Sequence, residues 1–183
     1  YQPGDDIRNI DWRVSARTGG TYTKLFCEER ERPVHIVVDQ RNSMFFGSAQ
    51  RFKSVLAAEV ASALAWAALA GSDRIGGQII GEYRESDIRA KRTKEAGLRF
   101  VRDLVTHNQQ LPVTQPEQID KKTGTPVSKT LAQVLEECRR LTRPGTAIFV
   151  VSDFHDFDPA SARALSLLGR HTDISLIQIG DEL

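Results

Sequence analysis

Short, nearly continuous apolar runs alternate along this chain with longer stretches whose apolar residues recur every three or four positions. The first run covers residues 33–39. There Val34, Ile36, Val37 and Val38 leave no polar face for water, as in a strand covered on both sides. Residues 51–70 carry apolar side chains at helical spacing and stop at Gly71, a residue suited to the position just past a helix end. Residues 74–80 predict a second strand, 81–86 a turn, and the polar stretch 87–91 a short strand at or near a sheet edge. A helix follows over 94–106, and residues 107–122, with Pro112 and Pro116, read as a long surface loop. Thr125 and Pro126 supply a cap and a proline at the first helical position, predicting a helix to about Leu141 that Pro144 and Gly145 end. Residues 146–152 make another buried-type strand, Asp158 and Pro159 open a helix to Gly169, and 173–179 form the last strand.

Buried strands alternating with amphipathic helices imply parallel strands joined by right-handed crossovers. The fold class expected is therefore α/β: a doubly wound, mostly parallel, Rossmann-like sheet with helices on both faces and one short antiparallel strand at or near an edge. Residues 1–32 read as a charged entry segment packing on the α/β domain of residues 33–183, the whole forming one structural unit. Ligands on such sheets bind beyond the carboxyl ends of the strands. Three polar segments fall at or near that rim: 39–43, 123–125 and 152–158.

Composition narrows the picture by exclusion. With 183 residues, 40% of them hydrophobic, the chain can bury a core without a disulfide scaffold. Cys27 and Cys138 are expected as buried free thiols in a reducing compartment, which points to the cytoplasm. Lys and Arg number 25 against 24 Asp and Glu, a balance that gives no reason to expect nucleic acid as a partner. The apolar stretch 55–70 contains Glu59 and Ser62 and reads as a core helix, so no direct membrane contact is expected. The sequence starts at Tyr1 and its one methionine is Met44, so the natural start is expected elsewhere.

The candidate chemistry lies at the strand ends. Asp39 closes the first strand, Ser43 follows four residues later, Thr125 sits at a helix start, and Asp153 follows the strand 146–152. Carboxylates, hydroxyls and waters are what a hard cation such as Mg²⁺ takes as ligands. The arrangement resembles the metal-ion-dependent adhesion site of von Willebrand factor A domains: Asp-x-Ser-x-Ser after the first strand, a later threonine and a later aspartate. The resemblance implies Mg²⁺ or Mn²⁺ held by Asp39, Ser43, Thr125 and Asp153. The middle serine of the pattern is Arg41 here, which has five donors and no acceptor and so cannot ligate a metal. Either Arg41 swings out and leaves a weakened cation site, or it pairs with Asp39 and Asp153 and stands in for the cation.

A second motif narrows the resemblance. The stretch Tyr1-Gln2-Pro3-Gly4-Asp5-Asp6-Ile7-Arg8-Asn9-Ile10-Asp11-Trp12, continued by Ala16-Arg17, is similar to the entry signature of the bacterial family known as domain of unknown function 58. Ser43-Met44, Phe46-Gly47, Lys53 and Gly71-x-Asp73-Arg74-x-Gly76 suit it too. Members are von Willebrand A-like and encoded beside MoxR-type AAA+ ATPases, so the resemblance implies such an ATPase as partner and a role in assembly or maturation of another complex. Asp5, Asp6, Arg8, Asp11, Arg13 and Arg17 are expected to knit a charged lid with Trp12 as its apolar anchor. Arg41, Asn42, Asp5, Asp6, Arg8 and Trp12 are the candidate partner-binding residues.

The function expected is a non-enzymatic protein-protein interaction module that grips an acidic group through a bound cation or through Arg41. The alternative is a metal-dependent phosphohydrolase using Asp39 and Asp153. Against it, no phosphate-binding glycine loop or nucleophile elbow is present, and no histidine is placed as a base. His155, among Asp153, Asp156 and Asp158, reads as a loop residue, with Asp158 capping the next helix; no zinc site is expected. Thr125 also reads as a plain helix cap. The cluster Lys91-Arg92-x-Lys94 reads as solvated surface, and Trp66 and Cys138 as packing residues on helices.

Overall fold

Five strands form one sheet: β1 (Pro33–Gln40), β2 (Arg74–Gly81), β3 (Glu85–Lys91), β4 (Ala147–Ser152) and β5 (Asp173–Gln178). Their order is β3-β2-β1-β4-β5, with β1 parallel to both β2 and β4, β5 parallel to β4, and β3 antiparallel to β2 at one edge. This is a computed structural model that describes residues 10–22, 32–48, 51–82, 84–109 and 129–181. The chain divides into two compact units, Tyr1–Arg30 and Glu31–Leu183.

In the larger unit, α2 (Lys53–Ala70) and α3 (Lys94–Gln109) cover one face of the sheet, and α4 (Leu131–Leu141) and α5 (Pro159–Leu168) the other. Alternation along β1 divides its side chains between them. Val34, Ile36 and Val38 enter the first cluster with Phe100 and Leu104, while Val37 joins Ile148, Val150, Leu135 and Leu168 in the second. β1 is buried along nearly its whole length because it has a neighbour on each side and helices on both faces.

Helix α2 is apolar almost all round, so periodicity does not say which stripe faces the sheet. Ser54, Ala57, Ala61, Ala65 and Ala68 are the buried positions, a small-residue stripe that lets the helix axis come close. The larger Trp66 is consequently turned outward and exposed, which corrects its reading as a core residue. The helix is long and apolar enough to cross a membrane by length and composition, yet its alanine stripe packs in the core.

Two boundaries also differ from expectation. α3 runs to Gln109 and buries His107 in its last turn, where Nδ1 lies 2.8 Å from the Asp103 carbonyl; His107 is thus a helix residue and not the start of a loop. α4 starts at Leu131, after Thr130, whose hydroxyl accepts from the Gln133 amide while the Gln133 side chain accepts from the Thr130 amide. That reciprocal capping box, not Thr125 with Pro126, is the start of the helix. Thr125 and the loop expected around it lie outside the described residues.

In the smaller unit, α1 (Trp12–Thr18) is capped by Asp11, whose carboxylate accepts from the amides of Arg13 and Val14. It ends at Gly19 in the left-handed conformation, with φ 72°, where a glycine carries no Cβ penalty. Ile10 is buried and Trp12 is exposed. Asp5, Asp6 and Arg8 lie outside the described residues.

Candidate functional site

At the carboxyl ends of β1 and β4, Arg41 is buried, with 5% of its surface exposed, beside an equally buried Asp39. Asp39 is buried as the next-to-last residue of a strand covered on both faces, and Arg41, just past the strand end and still extended, leads into the 3-10 turn Asn42–Met44. The Arg41 amide and Nε both donate to Asp39 Oδ1 at 3.0 Å, and Nη2 donates to Oδ2 at 2.7 Å. Ser152, the last residue of β4, donates its hydroxyl to the same Oδ2 at 2.7 Å. Each oxygen of the carboxylate therefore accepts two hydrogen bonds.

The other side of the guanidinium faces the loop after β4. Nη1 donates to Asp156 Oδ2 at 2.6 Å and Nη2 to Oδ1 at 2.9 Å, while Nη1 also donates to the Lys129 carbonyl at 3.1 Å. All five guanidinium N–H donors are thereby used. Asp156 Oδ2 further accepts from the Leu131 amide at the start of α4. Burial alone would lower the Arg41 pKa, but the hydrogen bonds and charges of Asp39 and Asp156 outweigh it and raise the value. Burial likewise opposes the ionised form of Asp156, and Arg41 more than offsets this, holding Asp156 below the ordinary carboxylate value.

Asp153 is engaged elsewhere. Its Oδ2 accepts from Lys53 Nζ at 2.6 Å, and its Oδ1 from the His155 amide at 3.2 Å. Burial pushes its pKa up, but Lys53 and the His155 N–H groups prevail and hold it down at about 2. The carboxylate paired with Arg41 beside Asp39 is thus Asp156 and not Asp153. Asp158 caps α5 by accepting from the Ser161 amide at 2.7 Å.

The remaining expected residues are distributed around this centre. Ser43 lies in the 3-10 turn, and its Oγ is buried with no partner among the described residues. Asn42 is exposed, its amide donating to Glu82 Oε2 at 3.0 Å. Gln40 is buried, donating to the Ser54 carbonyl and accepting from the Asn108 side chain, which ties the end of β1 to α2 and α3. Among the described residues no group of three or more His, Cys, Asp or Glu side chains is placed to hold a metal ion.

Asp156, Ser152 and Lys53 are the members of this network that sequence reasoning did not assign. Their signal was indirect: the five N–H donors of a buried arginine need more acceptors than one carboxylate offers, and Asp156 was an available carboxylate on the same rim.

A family model described as "Protein of unknown function DUF58" matches residues 1–183. The chain belongs to this family. Among curated relatives it is similar to the uncharacterized proteins Rv1480 of Mycobacterium tuberculosis and Mb1516 of Mycobacterium bovis, each 29% identical over 154 residues. The matched stretch is 84% of this chain but 44% of each relative, so the chain spans less than half the length of the proteins it matches. Among solved structures it resembles the manganese-loaded TRAP protein of Plasmodium vivax, with TM-score 0.50, 14% identity, and coverage of 83% of this chain and 58% of that one. It also overlaps the SpRpn10 VWA domain, with TM-score 0.42, 11% identity, and coverage of 83% and 90%. This DUF58 chain has a doubly wound, mostly parallel α/β fold, and shares it with the TRAP structure.

Proposed function

We propose that this DUF58 domain is a non-enzymatic protein-interaction module whose contact face is the rim at the carboxyl ends of β1 and β4. The observation that carries the reading is the exposure of Phe46 (51%), Phe52 (44%) and Phe157 (46%) on the two loops joined by the Arg41–Asp156 and Lys53–Asp153 pairs. Half-exposed aromatics are the residues that anchor protein interfaces. The partner we propose is the MoxR-type AAA+ ATPase that the family resemblance implies, in the assembly or maturation of another complex. Cys138, buried and free, suits a reducing compartment such as the cytoplasm.

The side chains do not fit a divalent cation as they stand. Both Asp39 oxygens already have two donors each, Asp153 is paired with Lys53, and the Arg41 guanidinium lies against Asp39 and Asp156. The phosphohydrolase alternative gains no support from the same geometry, because an Asp39 held by four donors has no free lone pair with which to attack.

Co-purification of the chain with a MoxR-type AAA+ ATPase tests the proposal. Phe46→Ala together with Phe157→Ala should weaken capture at least tenfold while leaving the melting temperature close to wild type. Unchanged capture would remove the rim as the contact face.

A further inference from the structure

We propose that Arg41 is the resident cation of this rim, so that a covalently attached guanidinium does here what a divalent metal does in the adhesion site it resembles. The inference deepens the interaction-module reading and concerns the same rim.

Three chain segments are expected to converge on a cation in that pattern: the loop after β1, the segment ahead of the helix now labelled α4, and the loop after β4. All three converge on Arg41. The first supplies Asp39, the second the Lys129 carbonyl and the Leu131 amide that steadies Asp156, and the third Asp156 itself. Arg41 stands at the middle serine of Asp-x-Ser-x-Ser, so the residue that displaces the metal also removes one of its ligands. The other serine, Ser43, keeps its hydroxyl buried and without a partner among the described residues, as expected for a would-be ligand with nothing to bind.

Charge leads to the same conclusion. Asp39 and Asp156 bring two negative charges, Arg41 brings one positive, and the first turn of α4 adds partial positive charge where Leu131 donates to Asp156. Lys53 balances Asp153 separately. A divalent ion placed against Asp39 would meet a fixed positive charge at hydrogen-bond distance from that carboxylate, while Asp153, the other carboxylate of the pattern, is already held by Lys53.

Two consequences follow. The rim is ordered at every metal concentration, and partner binding is insensitive to chelators. Because Arg41 has no donor left over, the rim does not grip an acidic group of the partner through a central cation; the surrounding side chains carry recognition.

The test is Mn²⁺ titration of the full chain by calorimetry, with melting temperatures in EDTA and in Mn²⁺. Wild type should bind no Mn²⁺ at this loop and melt at the same temperature in both buffers. Arg41→Ser, which restores the Asp-x-Ser-x-Ser spacing, should melt lower in EDTA, regain stability with Mn²⁺, and bind one ion, lost again when Asp39→Asn is added. Arg41→Lys, which keeps a positive charge and is the milder change, should stay folded and indifferent to Mn²⁺. Saturable Mn²⁺ binding by wild type or by Arg41→Lys that Asp39→Asn abolishes would overturn the proposal. A folded Arg41→Ser that ignores Mn²⁺ would overturn it equally.

ATPase capture retained in EDTA supports the inference, and capture lost in EDTA refutes it. Capture absent in every buffer refutes the interaction reading alone, since the Mn²⁺ measurements need no partner.

Discussion

Arg41 and Asp156, 115 positions apart in the sequence, share two hydrogen bonds of 2.6 and 2.9 Å and so join the loop after β1 to the loop after β4. Arg41→Met would leave Asp39 charged, buried and without its main partner. Breaking one side of a buried pair costs about 3–5 kcal/mol, and a loss of that order is expected by urea denaturation. Asp156→Asn should cost less, because Asp39 still neutralises Arg41. A double-mutant cycle between positions 39 and 41 that returned no coupling would contradict this account.

Acid should weaken the rim through Asp153. Its pKa stands at about 2 against an ordinary 3.8, so its contribution is complete above the ordinary value and disappears as pH falls toward 2. After discounting for solvent screening the contribution is on the order of 1 kcal/mol. Lys53→Met should flatten that acid limb in a series of denaturation curves, and an unaltered slope would assign the limb to other carboxylates.

Stability near neutrality should respond to His35. Burial lowers its pKa below 6.5, against the smaller opposing effects of the Gln78 hydrogen bond and the Asp87 charge. The unfolded chain therefore binds the proton first. Stability should be full above about pH 6.5 and decline as pH drops toward the folded value. In His35→Gln the decline should vanish; NMR titration of the imidazole would locate the folded pKa directly.

Gly77 is required by close packing. A Cβ there would fall 2.2 Å from the Ile36 carbonyl oxygen and 2.9 Å from the Phe100 ring, and the backbone of β1 cannot move away without breaking its pairing. Gly77→Ala should destabilise the fold by about 1–3 kcal/mol. A wild-type melting temperature would show that the strands can part at that point.

The strands were legible in the sequence because burial on both faces forces continuous apolar runs, as in 33–39 and 146–152. The α4 boundary was misread, because Thr125 with Pro126 offered a local start as good as the capping-box spacing of Thr130 and Gln133. Trp66 was not legible, because a helix apolar all round gives no period from which to choose its buried stripe. At the rim, Asp39 and the departure at Arg41 could be read directly. Whether Asp153 or Asp156 reached Arg41 could not, since both sit in one loop and only the path of that loop decides which turns inward.

Lys53, the first residue of α2, adds a second link to the loop after β4 at 2.6 Å, so the rim is fastened at two points before any partner arrives. Little conformational entropy remains to be lost there on association. Complex formation at such a surface should be limited by diffusion and orientation, without a slow closing step in the binding kinetics.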